Sequence, residues 1–229
     1  AISGTGTDAI GISGSAASTG YLSNSNDGSL VEFAGHYSSN TTSNANTLLT
    51  RAVVSLNYSG TINIATTYTG TSGNQTRSAT TLNNTTWYIG DQGGIYSNQT
   101  FAGSPTGNFR SMKSFGGVVY VELQSAVTTN IQVNTLSAPT GGAITGLPGL
   151  TNNSNIQDFY LVSSGTNGSA YDILYTISSS SATSGTITKY SLVNNSWVSN
   201  GTYTTSFGGF GLLAKYNSIT GTSLFITTG

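Results

Sequence analysis

Apolar and polar residues alternate in short runs along this chain, and clusters of Gly, Asn, Ser and Asp separate one run from the next. A two-residue period puts successive side chains on opposite faces of an extended strand. No window sustains the i, i+3, i+4 apolar spacing of an amphipathic helix. The clearest strands fall at 29–35, 49–56, 61–65, 86–90, 117–123, 159–162, 173–177, 186–192, 210–214 and 224–227. Asn83-Asn84, Phe115-Gly116 and Asn194-Asn195 mark turns between them. The expectation is an all-β fold.

Low charge narrows the setting. Charged residues make up 6% of the 229, against about 25% in an average soluble protein. Six basic and seven acidic residues leave a net charge of -1. Without a basic stripe to displace counterions, nucleic-acid binding is excluded. Disorder does not fit, because aromatics reach 10% and β-branched residues are plentiful. The longest apolar runs are too short to span a bilayer. The absence of cysteine removes disulfides and thiolate metal sites. A surface this poor in charge favours association, which fits a glycan-covered or assembled protein outside the cell better than a cytosolic one. The start, Ala1-Ile2-Ser3-Gly4, has neither an initiator Met nor a charged leader, as expected of a processed chain or a fragment.

One unit recurs. A strand of small residues leads through a polar turn to an aromatic-rich strand. Examples are Arg77-Ser78-Ala79-Thr80 with Trp87-Tyr88-Ile89-Gly90, and Phe109-Arg110-Ser111-Met112 with Val118-Val119-Tyr120-Val121. Gly211-Leu212-Leu213-Ala214 with Leu224-Phe225-Ile226-Thr227 is a third, Tyr21-Leu22-Ser23 with Leu30-Val31-Glu32-Phe33 a looser copy, and 158–205 a longer one. Copies lie roughly 35 to 55 residues apart, which brackets a four-stranded propeller blade of about 40–50 residues. About five blades fit in this length. The stretch from Leu136 to Thr151, with Pro139 and Pro148, reads as a connection between blades. Residues 1–229 are therefore read as a single all-β, propeller-like domain. An elongated β-sandwich is the structural alternative.

Several stretches carry a family resemblance. They are Gly20-Tyr21-Leu22-Ser23 through Ala34-Gly35-His36-Tyr37, Arg77-Ser78-Ala79 with Trp87-Tyr88-Ile89-Gly90, and Phe115-Gly116-Gly117-Val118-Val119-Tyr120-Val121. They continue with Ile144-Thr145-Gly146-Leu147-Pro148-Gly149 and Gly185-Thr186-Ile187-Thr188-Lys189-Tyr190 through Trp197-Val198-Ser199-Asn200. Over most of its length the chain resembles a family of secreted bacterial β-propellers that are mostly uncharacterised. The resemblance implies longer, seven-bladed relatives. It implies that this chain is short at both ends, with an open edge or one completed by a neighbouring chain.

Chemistry-bearing residues are few. His36 is the lone histidine and has no G-x-S-x-G elbow to serve, so it reads as a hydrogen-bonded structural residue. The carboxylates are Asp8, Asp27, Glu32, Asp91, Glu122, Asp158 and Asp172. Glu32 and Glu122 lie inside apolar strands and read as ion-pair partners of Arg51, Arg77 or Arg110. Asn24, Asn26 and Asp27 are candidate calcium ligands, but an Asp-Gly turn explains the same residues and the acidic end of an EF-hand loop is missing. Asp91-Gln92-Gly93-Gly94 also reads as a turn. Asn40, Asn57, Asn74, Asn83, Asn84, Asn98, Asn152, Asn167, Asn194 and Asn200 begin N-x-[ST] glycosylation sequons. Chance accounts for most of these in so Ser/Thr-rich a chain. The tyrosines at 21, 37, 58, 68, 203 and 216 are offered for sugar stacking, or for filling layers between sheets.

These features point first to a non-enzymatic structural or assembly protein, a cell-surface or filament subunit carrying glycans. It has no catalytic residues, no cofactor and no metal, and its partners are further copies joined through β edges. The alternative is a glycan- or protein-binding adhesive propeller. A third is a glycosidase, which needs two carboxylates facing each other across a cleft; Glu32, Glu122, Asp158 and Asp172 are the residues to test for it.

Overall fold

The computed structural model describes residues 6, 8–14, 16, 18–39, 44–99, 102–125, 130–166 and 170–228. Of these, 57% lie in strands and none in an α-helix; one short 3-10 turn spans Ala45–Thr47. The all-β expectation holds. Among the described residues the strands close into no barrel, and no helix is long and apolar enough to cross a membrane.

The strands form five antiparallel sheets in chain order. The first contains β1 (Ile10–Gly11), β2 (Ser23–Asn24), β3 (Leu30–Tyr37), β4 (Thr50–Asn57) and β5 (Ile62–Thr69). The second contains β6 (Thr76–Thr81), β7 (Trp87–Asp91) and β8 (Gly94–Tyr96). The third runs through β9 (Asn108–Phe115), β10 (Val118–Ser125), β11 (Val133–Leu136) and β12 (Ile144–Gly146). The fourth runs through β13 (Ile156–Val162), β14 (Ile173–Ser181), β15 (Ser184–Val193) and β16 (Ser196–Thr205). The fifth has only β17 (Gly209–Asn217) and β18 (Gly221–Thr228). Within the stretch from Leu136 to Thr151, Ile144–Gly146 adds β12 to the edge of the third sheet beside β11, and the residues after it lead on to the fourth sheet.

Turn chemistry fixes the hairpins. Asn194 and Asn195 take φ of 50° and 61° between β15 and β16. Gly116 and Gly117 take 59° and 81° between β9 and β10. Two consecutive positive φ values match the right-handed twist of the flanking strands, and Asn and Gly tolerate them best.

The sheets stack face to face. β3 lies against β6, β6 against β9, β9 against β13, and β13 against β17. An apolar layer fills each gap. Ala34, Val53, Trp87 and Ile89 lie between the first two sheets. Tyr88, Phe109, Met112 and Val121 lie between the second and third. Phe115, Phe159, Leu161 and Trp197 fill the next gap. Ile173, Ile177, Leu212 and Ala214 fill the last. Each fully buried Val, Leu, Ile, Met or Phe among them contributes about 1.5–3 kcal/mol. Small residues in the second sheet, Ser78 on β6 and Gly90 on β7, let it approach β9 closely. Ser78 donates to the carbonyl of Arg110 at 2.6 Å. At Gly90 an added Cβ would meet the Phe109 carbonyl at 3.2 Å.

Candidate functional site

Charge is scarce, and most of it is inside. Arg51 on β4 and Asp91 on β7 are both 0% exposed and form an ion pair between the first and second sheets. Arg51 also donates to the carbonyls of Thr71 at 2.8 Å and Asn74 at 2.6 Å. Tyr68 donates to the same carboxylate at 3.1 Å. Gly70 packs against the guanidinium so closely that an added Cβ would overlap it. His36, opposite Arg51 in the register, is also buried. Burial and the Arg51 charge hold its imidazole below the ordinary range, so it is neutral at pH 7.

Asp158 on β13 ties three sheets together. From the third sheet it accepts hydrogen bonds from Lys113 at 2.6 Å and from Ser111. It accepts from its neighbour Phe159 N at 2.7 Å and, across the next gap, from Leu212 N on β17 at 2.6 Å. Lys113 is 2% exposed and lies 5.5 Å above the Phe159 ring. Arg110 donates to Gln157, and Ser179 accepts from Gly209 N at 2.8 Å, repeating the pattern between other strands. The charged groups of β4, β7, β9 and β13 therefore act as fasteners between sheets.

Glu32 and Glu122 depart from expectation. Neither forms an ion pair; the arginines go to Asp91, Ser18, Asn108 and Gln157 instead. Both carboxyls are fully buried with no hydrogen-bond partner. Burial, with a smaller effect from Asp27, pushes Glu32 up to about 9. Burial also holds Glu122 well above the carboxylate range, although Arg110 and Arg77 pull the other way. Glu32 is therefore neutral at pH 7, Glu122 is pushed in the same direction, and a neutral carboxyl is cheaper to bury than an unpaired charge.

The segment from Thr19 to Asn26 crosses the first strands of the second and third sheets. Tyr21 N donates to Arg77 O at 3.0 Å and Asn26 N to Thr81 O at 2.9 Å. Ser23 donates to Met112 O at 2.6 Å and Asn24 to Ser114 O at 2.8 Å. On its far side lies a cleft of about 490 Å³ whose opposite wall is β17–β18. Lys113, Asp158 and Tyr160 line it, and so do the apolar side chains Leu22, Val31, Phe210, Leu213 and Phe225. Leu22 is 61% exposed, Leu213 48% and Phe225 56%. Leu213 and Phe225 are cross-strand partners, so they stand on one face. Their neighbours Leu212 and Ile226 pack on the opposite face, against the fourth sheet. The cleft thus offers apolar walls over a carboxylate whose hydrogen-bonding capacity is already used.

The remaining sequence candidates fall elsewhere. Asn26 Oδ1 accepts from Gly117 N, while Asp27 Oδ1 accepts from Ser25 and Ser29, so these oxygens organise a turn. Asn24 donates through Nδ2 to Ser25 and Ser114, and its Oδ1 is buried without a partner. Among the described residues no three His, Asp or Glu side chains gather around one point. Asn40 and Asn167 lie outside the described residues. Asn83, Asn84, Asn98, Asn152, Asn194 and Asn200 are exposed, and Asn57 and Asn74 half-buried. A glycan attaches through Nδ2. That atom of Asn84 donates to Asp27, that of Asn98 to Thr85 O and that of Asn200 to Ser191, so a glycan there competes with an existing hydrogen bond for the same nitrogen. Tyr21 and Tyr68 are buried and serve packing, whereas Tyr58 is 97% exposed and Tyr203 68%. Sequence reasoning missed the Asp158 junction and the cleft, which unite residues far apart in the chain. Compared with models of known protein families and with curated proteins, the sequence finds no significant match.

Proposed function

We propose that this chain is a non-enzymatic extracellular assembly protein, a subunit of a cell surface or filament, whose sheets are arranged as the blades of a β-propeller that is open at one side. The observation that carries this reading is the apolar cleft between the Thr19–Asn24 segment and β17–β18, where Leu22, Leu213 and Phe225 face solvent. Large apolar side chains grouped on one face mark a surface that another protein covers. The fate of the charges supports it: Arg51, Asp91, Lys113 and Asp158 are spent holding sheets together. A blade arrangement is supported by the chain-order stacking of β3, β6, β9, β13 and β17. Glycans on exposed turn asparagines such as Asn152 and Asn194 belong to the same reading.

Light scattering on the purified chain over a rising concentration series tests the proposal. The expected mass climbs from 23.5 kDa to a multiple of it. A mass fixed at 23.5 kDa at the highest concentration reached overturns the reading. A second reading, a glycan- or protein-binding module, is favoured by the cleft volume of about 490 Å³, which lies within the roughly 300–1,000 Å³ of small-molecule sites.

A further inference from the structure

Lys113 and Asp158 are set up to react with each other. They face one another across the gap between the third and fourth sheets, with Nζ 2.6 Å from Oδ1 and each side chain 2% exposed. Lys113 is the buried lysine; Lys189 is half-buried and Lys215 exposed. Further donors hold the carboxyl still: Ser111 Oγ and Phe159 N on Oδ1, and Leu212 N on Oδ2 at 2.6 Å. A third group faces the same gap. Val119, Val121 and Leu123 of β10 pack toward the second sheet, so alternation turns Tyr120 and Glu122 toward the fourth. Tyr120 is opposite Lys113 in the register and packs in the apolar layer with Phe159. Both oxygens of Glu122 are buried without a hydrogen-bond partner, and burial favours its protonated form.

We propose that Lys113 and Asp158 condense into an amide, an internal isopeptide cross-link between β9 and β13, with Glu122 relaying the proton. The inference stands apart from the assembly reading and holds for a single chain. The 2.6 Å contact is the pair before the bond forms; until then it acts as an ion pair. The Lys113 proton first crosses that hydrogen bond to Oδ1, which leaves a neutral amine beside a carboxylic acid. The Nζ lone pair then attacks Cγ, and the charge that gathers on Oδ2 is met by the Leu212 N–H. Glu122 takes one of the two protons left on Nζ and gives its own to Oδ1. The Cγ–Oδ1 bond breaks, and Oδ2 becomes the amide oxygen. The water leaves through the adjoining cleft, which Lys113 and Asp158 line. Fixed geometry removes the entropy cost of bringing amine and acid together. In water the separate ions are the stable form, but two buried charges are costly and an amide carries none. Arg51 and Asp91 cannot take this course, because a guanidinium keeps its proton and is no nucleophile. In a chain without cysteine the bond does the work of a disulfide, joining two sheets through residues 45 apart in sequence.

Intact-mass spectrometry of the denatured full chain, produced in a host without N-glycosylation, tests this. The expected mass is one water short of the sequence. Trypsin then locates the loss. A linked Lys113 resists cleavage, and the next basic residue is Lys189. A single 111–189 peptide lacking one water is therefore expected in place of separate 111–113 and 114–189 peptides. K113R keeps the charge but cannot condense, and is expected to show its full sequence mass. E122Q is expected to leave most of the chain unlinked. Circular dichroism checks that both variants fold. A parent chain that trypsin cuts after Lys113 overturns the cross-link. A link that forms as completely in E122Q as in the parent overturns the role of Glu122.

Discussion

Replacing Asp158 with alanine is expected to remove about 3–5 kcal/mol of folding stability, the usual cost of taking one partner from a buried ion pair. That is a large share of the roughly 5–15 kcal/mol available to a whole domain. Four groups lose an acceptor together: the Lys113 ammonium, the Ser111 hydroxyl, the Phe159 amide and the Leu212 amide. The first two sit on the third sheet and the last on the fifth, so the loss acts on both sides of β13. Lys113 is 2% exposed, so little water is at hand to replace the lost carboxylate. Exchanging Lys113 and Asp158 together for apolar residues of similar volume is expected to recover part of the loss, because no charge is stranded. Recovery is incomplete, since Leu212 N stays unsatisfied. Urea unfolding of the single and double variants measures this. A loss below about 1 kcal/mol for the single variant would mean that Asp158 behaves as a surface charge.

Raising the pH from 7 to 8.5 is expected to destabilise the protein, with the buried glutamates as the cause. Glu32 keeps its proton in the folded chain up to about pH 9, whereas in the unfolded chain it releases it near the ordinary value of 4.5. Between these values the folded state binds more protons, so stability falls by about 1.4 kcal/mol for each pH unit. Glu122 is shifted in the same direction and adds to the slope. His36 works in the opposite sense, but only below its ordinary value of 6.5, where the unfolded chain takes up a proton first. Asp27 and Asp172 are held low. Hydrogen bonds from Ser25 and Ser29 do this at Asp27, and at Asp172 those from Ser164 and Thr166 outweigh the effect of burial. What they contribute is lost only as the pH falls below 3.8. From pH 7 to 8.5 Glu32 alone accounts for about 2 kcal/mol. Glu32→Gln, which mimics the protonated side chain, is expected to lessen the slope, leaving the part due to Glu122, and to exceed the parent in stability at pH 8.5. Thermal midpoints across this range decide the matter; a flat parent profile would show that these carboxyls ionise inside the fold.

Local pattern carried much of the fold. Alternation located β3, β4, β15 and β18 to within a few residues, because each has one face on an apolar layer. Asn194-Asn195 was readable as a turn because its side chains suit positive φ. β8, β11 and β12 were not readable. They are three or four residues long, too short for a period, and the prolines near β12 resemble linker punctuation. At the candidate site, spacing showed that Glu32 and Glu122 are buried, since both sit within apolar strands. It could not assign partners, because Arg51 meets Asp91 across 40 residues and Lys113 meets Asp158 across 45. Such pairs depend on which sheets stack, a property of the folded chain. The exposure of Leu213 and Phe225 was hidden for the same reason: their pattern matches that of strands covered on both faces.

Amide hydrogen exchange of β17 and β18 at low and high protein concentration tests the assembly account most directly. The amides of β17 and β18, which wall the exposed apolar cleft, are predicted to exchange rapidly in dilute solution and to slow markedly as concentration rises, while those of β13 stay slow throughout. Exchange along β17 and β18 that is equally fast at every concentration would contradict the account.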